Sequence, residues 1–76
     1  VRLNISGHTD GNGKEEVNLL LSQQRADAIK AYLTYTFNID SRRIEAHGYG
    51  SSKPIVQEKS EEDRRLNRRV EFNITR

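Results

Sequence analysis

Residues 1–16 read Val1-Arg2-Leu3-Asn4-Ile5-Ser6-Gly7-His8-Thr9-Asp10-Gly11-Asn12-Gly13-Lys14-Glu15-Glu16, and this stretch decides the fold. Val1, Leu3 and Ile5 alternate with Arg2, Asn4 and Ser6, the period-two pattern of a strand with one dry face and one wet face. From Gly7 to Lys14 there are three glycines in eight residues, a composition that frees the backbone for positive φ and for close approach to other groups. This segment is read as a loop. Glu15 and Glu16 place negative charge in the first turn of a helix that runs to about Thr36, with Asn38 ending it as a left-handed residue. Further out, a shorter strand is expected around Arg43 to His47, followed by a turn-rich stretch from Gly48 to Pro54. Ser60-Glu61-Glu62-Asp63 resembles a capping box opening a short helix through about Asn67. Val70, Phe72 and Ile74 then alternate with Glu71, Asn73 and Thr75 as a last strand. The order is strand, helix, strand, short helix, strand. Both outer strands have only one dry face, so the expected architecture is a two-layer α/β sandwich of the α+β kind, a small mixed β-sheet with helices packed on one face.

Seventy-six residues with 13 Lys+Arg against 11 Asp+Glu and a net charge of +2 fit a single small domain spanning 1–76. A chain of this length buries only about 60% of its unfolded surface. With 33% hydrophobic residues it supports one thin core and no large buried active site. The absence of cysteine excludes a disulfide staple and a thiolate zinc site. The longest apolar run, Val17 to Leu21, is broken by Asn18 and falls far short of the roughly 20 residues of a membrane span. No signal-peptide pattern opens the chain. Because a strand begins at Val1, the expectation is a soluble piece of a longer protein that carries any targeting signal elsewhere.

Two polar residues interrupt the apolar stripe of the long helix. At 100° per residue, Val17, Ala28, Leu21, Tyr32, Ile29 and Leu33 fall in one arc of about 160°, the expected sheet-facing stripe. Arg25 lies inside that arc, and Asn18 lies about 20° beyond it, one seven-residue step earlier. An arginine there needs a partner, and Asp10 is the expected one, because its loop leads directly into this helix. Two readings follow. In the first, Asp10 and Arg25 form a plain ion pair that pins the loop, with the arginine stem lying along the core edge. In the second they flank a shallow site for a zwitterion, Asp10 meeting an ammonium and Arg25 gripping a carboxylate in fork geometry. Asn18 and backbone N–H groups then add hydrogen bonds.

Other motifs fail on spacing. Gly7 to Lys14 has five residues between the outer glycines where a phosphate loop has four, and Glu15 stands where Ser or Thr must hold the metal. As a calcium loop starting at Asp10, the chain has Glu15 at the turn-glycine position and Leu21 at the bidentate position. His8, Asp10 and His47 lack a metal-ligand spacing, and Ser22 has no neighbouring base. The pairs Arg42-Arg43, Arg64-Arg65 and Arg68-Arg69 raise nucleic-acid binding as an alternative. Interleaved acids and the absence of stacking aromatics argue against it, and the plainer reading is a solvated helix face with ion pairs such as Glu61 to Arg65. Arg68 and Arg69 enter the last strand on opposite faces, one toward the Asp10 loop and the other toward solvent.

Taken together, Ile5-Ser6-Gly7-His8-Thr9-Asp10, Gly13, Asn18, Leu21-Ser22, Arg25-Ala26, Gly48-Tyr49-Gly50, Pro54 and Asn67-Arg68-Arg69-Val70-Glu71 resemble the OmpA C-terminal-like domain. The ordered set spans nearly the whole chain. The resemblance implies non-covalent binding of peptidoglycan in the periplasm of Gram-negative bacteria, without catalysis or cofactor. It also implies an anchor for an outer-membrane porin, a lipoprotein or a flagellar stator. In such domains the Asp of Gly-His-Thr-Asp and the Arg of Leu-Ser-x-x-Arg-Ala grip the diaminopimelate of the stem peptide, which places Asp10 and Arg25 in those roles here. By the same match Asn18 orients the loop or bonds to ligand, Leu21 lines the pocket, and Gly13 lets the backbone approach. Diaminopimelate carries an amino-acid centre on its side chain, the zwitterion inferred from Asp10 and Arg25. The family's usual first strand and first helix are absent, which is expected to leave a sheet edge and apolar surface exposed. Oligomeric state stays open, a homodimer included. A purely structural or oligomerisation domain and a wall hydrolase are the remaining alternatives.

Overall fold

The computed structural model describes residues 1–76. Strand β1 (Arg2–His8) leads through the glycine loop into helix α1 (Glu15–Phe37), and a single 3₁₀ turn (Ser41–Arg43) precedes β2 (Ile44–Gly48). Helix α2 (Glu61–Asn67) then delivers the chain to β3 (Arg69–Thr75). The sheet order is β2-β1-β3, with β1 parallel to β2 and antiparallel to β3. A parallel pair cannot be joined by a hairpin, so α1 serves as the crossover between β1 and β2 and packs across those two strands. The result is the α+β layering anticipated from the alternating strands.

Register puts the apolar residues in rows across the sheet. Ile44, Leu3 and Ile74 form one row and Ala46, Ile5 and Phe72 the next, while Gly48, Gly7 and Val70 form the third. These rows share one face, and α1 lies over their β1 and β2 members. The core is thin, as the length requires: Ile5, Ala26 and Ile44 are fully enclosed, with Leu3, Ile29, Leu33, Ile39, Ala46 and Val70 packed around them. On the same face of β3, Phe72 and Ile74 stay largely exposed, since the helix does not extend over that strand. No helix is long and apolar enough to cross a membrane.

Helix α1 seats on a stripe that keeps only Ile29 and Leu33 of the one its apolar residues mark. Its buried residues are Asn18, Ser22 and Ala26, a row at i, i+4 spacing. Val17 and Tyr32 are 57% and 61% exposed, and Leu21 is 38% exposed; Ala28 also faces water. The reason lies in two strand glycines. A Cβ on Gly7 would stand 2.4 Å from the Ser22 carbonyl oxygen, and one on Gly48 would stand 2.2 Å from the Gln23 backbone nitrogen. The helix backbone therefore rests almost directly on the sheet, and only small side chains fit beneath it. Gln23 locks the seat by donating to the Ala46 carbonyl at 2.9 Å and accepting from the Gly48 N–H at 2.8 Å.

The local signals at element ends hold. Asn38 ends α1 with φ 53°, and the Ser60 hydroxyl accepts from the Asp63 N–H at 3.3 Å at the start of α2. The Asp63 carboxylate reaches back to the Lys59 N–H at 2.9 Å rather than to Ser60 itself. Strand β1 runs two residues beyond the alternating pattern, because Gly7 and His8 still pair with β3. The loop thus begins at Thr9.

Candidate functional site

Where β1 ends, the sheet can no longer satisfy backbone groups, and the loop from Thr9 to Lys14 is held by the turn after β2 and by side chains instead. Thr9 donates its N–H to the Gly50 carbonyl at 2.9 Å, tying the loop to the turn after β2. Gly50 in turn donates to the Ser22 hydroxyl at 2.9 Å, and Ser22 donates to the Leu19 carbonyl at 3.0 Å. Ser22 is thus a packing and hydrogen-bonding residue under α1. Asn18 donates to the Asn12 carbonyl at 3.0 Å and, at 3.4 Å, to the Asp10 carbonyl, so it ties the loop to the first turn of α1. Gly13 has φ 81°, and nothing lies within 4 Å of the place its Cβ would take. The left-handed conformation by itself favours a glycine there.

Asp10 is only 7% exposed. One carboxylate oxygen accepts from the Asn12 N–H at 3.0 Å, a local Asx turn. The other accepts from Arg68 Nη1 at 2.7 Å. This corrects the expected pairing: the ion-pair partner of Asp10 is Arg68, at the far end of the sequence, and not Arg25. Burial pushes the Asp10 carboxyl up, but the Asn12 N–H, the Arg68 hydrogen bond and the charges of Arg68 and Arg64 together hold it below the ordinary aspartate value. Asp10 is therefore an ionised group inside the fold.

Arg68 bridges two carboxylates, donating also to Glu61 at 3.2 and 3.3 Å. Glu61 is thereby taken by Arg68 rather than by Arg65, the i+4 partner expected from helix spacing. Arg69 turns to the opposite face, as its position in the strand required. It is not released to solvent, because it donates to Glu71 at 2.5 Å and to the carbonyls of Asn67 and Lys53 at 3.2 and 2.9 Å. Arg42 is likewise held by Asp40 at 2.8 Å. Half of the six paired arginines are thus neutralised within the chain, which weakens the nucleic-acid alternative.

Arg25 stands exposed on the flank of α1, seven residues beyond Asn18 and four beyond Leu21. Its guanidinium enters none of the hydrogen bonds or ion pairs that hold the fold, so it remains available to an anion. His8 projects from the other face of the sheet, is 3% exposed, and stacks on Tyr49 with ring centroids 5.5 Å apart. Lys53 sits 4.2 Å over the Tyr49 ring. Both ring nitrogens of His8 are buried without a partner, and burial first, then the Arg69 charge, lowers its pKa. No three His, Asp or Glu side chains converge as metal ligands. An apolar depression lined by Val1, Leu3, Ile39, Arg43 and Ile74 lies at the opposite end of β1 from Asp10 and is separate from this polar site.

Glu58 is the residue that sequence reading missed. Its carboxylate accepts from the Gly11 N–H at 3.1 and 3.0 Å and from Asn67 Nδ2 at 2.8 Å. Asn67 is fully buried and also accepts from the Ile55 and Val56 N–H groups at 2.9 and 3.3 Å. An asparagine directly before two arginines at the end of a helix was the available signal, but its partners are set only by the fold.

A mixed sheet with one crossover helix, ending in a glycine loop that carries a charged aspartate, defines a small α+β domain with a polar site at the end of β1. A model described as the OmpA family matches residues 1–68, and the chain belongs to that family. Outer membrane porin F of Pseudomonas aeruginosa is 37% identical over 70 residues, covering 92% of this chain and 20% of the porin. The chain therefore spans about a fifth of that relative's length. Among solved structures, the peptidoglycan-associated lipoprotein from Burkholderia pseudomallei superposes with a TM-score of 0.86 at 32% identity, over 93% of this chain and 59% of that one. The cell wall anchor of the T6SS from Pseudomonas aeruginosa does so with a TM-score of 0.82 at 32% identity, over 93% and 52% of the two chains.

Proposed function

We propose that this chain binds peptidoglycan non-covalently through the diaminopimelate of the stem peptide, as a binding module rather than an enzyme. In this role it ties a longer envelope protein, held at the outer membrane by its other parts, to the cell wall from the periplasmic side. Membership of the OmpA family and likeness to a peptidoglycan-associated lipoprotein and a cell wall anchor support the ligand class. The single observation that carries the reading to residues is Asp10, a buried carboxylate kept ionised on a loop braced by Asn18. Each of its oxygens has one hydrogen-bond partner and can accept another. The ligand's side-chain ammonium meets Asp10. Its side-chain carboxylate meets Arg25, whose guanidinium has no internal partner, while Leu21 one turn earlier supplies apolar contact to the linking methylenes. Gly13 keeps the loop in the required left-handed conformation.

Charge-assisted hydrogen bonds contribute about 1.5–3 kcal/mol each, so a single stem peptide is held modestly and a polymeric wall is held by repetition. The test is an NMR titration of the labelled chain with a diaminopimelate muropeptide and its lysine counterpart. Saturable amide shifts around Asp10, Asn18 and Arg25 are expected with the first. Asp10→Ala and Arg25→Ala should each weaken binding by about tenfold or more. The lysine peptide lacks the second carboxylate, so Arg25 discriminates against it. Equal shifts with both peptides, or no loss in either variant, refutes the assignment.

A further inference from the structure

Asp10 is not an isolated charge waiting for a ligand. The end of α2 grips its loop at two successive residues. Arg68 holds the Asp10 carboxylate at 2.7 Å, and Asn67 holds Glu58, which binds the Gly11 N–H. Arg68 is fixed in turn. Its backbone N–H closes the helix on the Arg64 carbonyl at 3.1 Å, and its guanidinium forks onto both oxygens of Glu61. A planar guanidinium held at two sides has little freedom to turn away from Asp10.

We propose that Arg68 is a positioning residue of the peptidoglycan site, holding the Asp10 carboxylate ionised and aimed without touching the ligand. The proposal rests on the reading that Asp10 receives the ligand's ammonium. Only the ionised carboxylate attracts an ammonium, and burial alone favours the neutral acid. The Asn12 N–H, the Arg68 hydrogen bond and the charges of Arg68 and Arg64 together reverse that preference. The positive charge of Arg68 would repel the ligand if it stood alone, but Glu61 on its far side offsets it. The Asn12 N–H then fixes the second Asp10 oxygen, so both oxygens are oriented before the ligand arrives. This preorganisation spares the ligand the cost of ordering the loop.

The test combines two readouts on the labelled chain, Arg68→Gln and Arg68→Lys. The first is the Asp10 side-chain carboxyl carbon shift followed by NMR from about pH 2 to pH 7 without ligand. The second is muropeptide affinity over the acid part of that range. In the unsubstituted chain the Asp10 midpoint is expected below the ordinary 3.8. Arg68→Gln should raise it, weaken binding at neutral pH by about tenfold, and move the acid limit of binding upward by the same interval. Arg68→Lys keeps the charge and should keep the midpoint low and restore most of the affinity. An unshifted midpoint in the unsubstituted chain overturns the proposal even if the glutamine variant does not fold. If the unsubstituted chain shows no saturable muropeptide shifts, the peptidoglycan reading falls. If it binds and Arg68→Gln changes neither midpoint nor affinity, only the positioning role falls.

Discussion

Replacing Gly48 by alanine tests the closest contact in the fold. The new Cβ would lie 2.2 Å from the Gln23 nitrogen, 2.6 Å from its Cα and 2.6 Å from the Ser22 hydroxyl oxygen. Ordinary contacts to carbon are about 3.5–4.0 Å, so α1 must lift by roughly 1 Å or more. Two of the three atoms belong to the helix backbone, which cannot step aside as a flexible side chain would. Overpacking of this kind costs about 1–3 kcal/mol. Lifting α1 also stretches the two Gln23 hydrogen bonds to β2, each contributing about 0.5–1.5 kcal/mol. The expected loss is therefore about 2–6 kcal/mol. A domain of this length holds only about 4–11 kcal/mol in total, so Gly48→Ala should lower the midpoint by at least about 8 °C. Circular dichroism during thermal and urea unfolding measures it, with Gly13→Ala as the comparison. At Gly13 nothing obstructs a Cβ, and only the left-handed conformation is penalised, by about 1–2 kcal/mol. Gly48→Ala unfolding within about 3 °C of the parent chain, or proving milder than Gly13→Ala, would refute the reasoning that α1 rests on bare strand backbone.

Two further outcomes follow from buried polar groups. His8 is neutral in the fold, with a pKa lowered from 6.5 chiefly by burial, whereas in the unfolded chain it takes up its proton near the ordinary value. The unfolded state thus binds more protons as the pH falls, so the His8 contribution is complete above about pH 6.5 and is lost as the pH drops through the lower, folded value. Urea midpoints measured between about pH 7.5 and pH 5 should decline less steeply in His8→Phe, and an unchanged slope counts against a neutral buried imidazole. Asn67→Ala removes the acceptor for the Ile55 and Val56 N–H groups and the donor to Val56 and Glu58. It should cost about 1–3 kcal/mol and speed hydrogen exchange at Ile55 and at Gly11, while exchange at those amides matching the parent chain would show that the network does not hold the loop.

What the sequence by itself determined is the local structure. The alternation in Val1 to Ile5 and in Val70 to Ile74, the acidic first turn at Glu15, the cap at Ser60 and the left-handed Asn38 all act within a few residues, and each element forms where these signals place it. The motif from Gly7 to Asp10 was enough to bring the family into view. Only the tertiary structure decided which side of α1 meets the sheet and which group holds Asp10. A helical projection ranks faces by hydrophobicity, but Gly7 and Gly48 bring the sheet so near that steric fit outranks it, selecting Ser22 and Ala26 and leaving Tyr32 in water. The partner of Asp10 lies 58 residues away. No local pattern encodes that distance, because it is set by the antiparallel pairing of His8 with Arg69, which carries Arg68 to the end of β1. The register of one strand against another thus chose Arg68 for Asp10 and left Arg25 free.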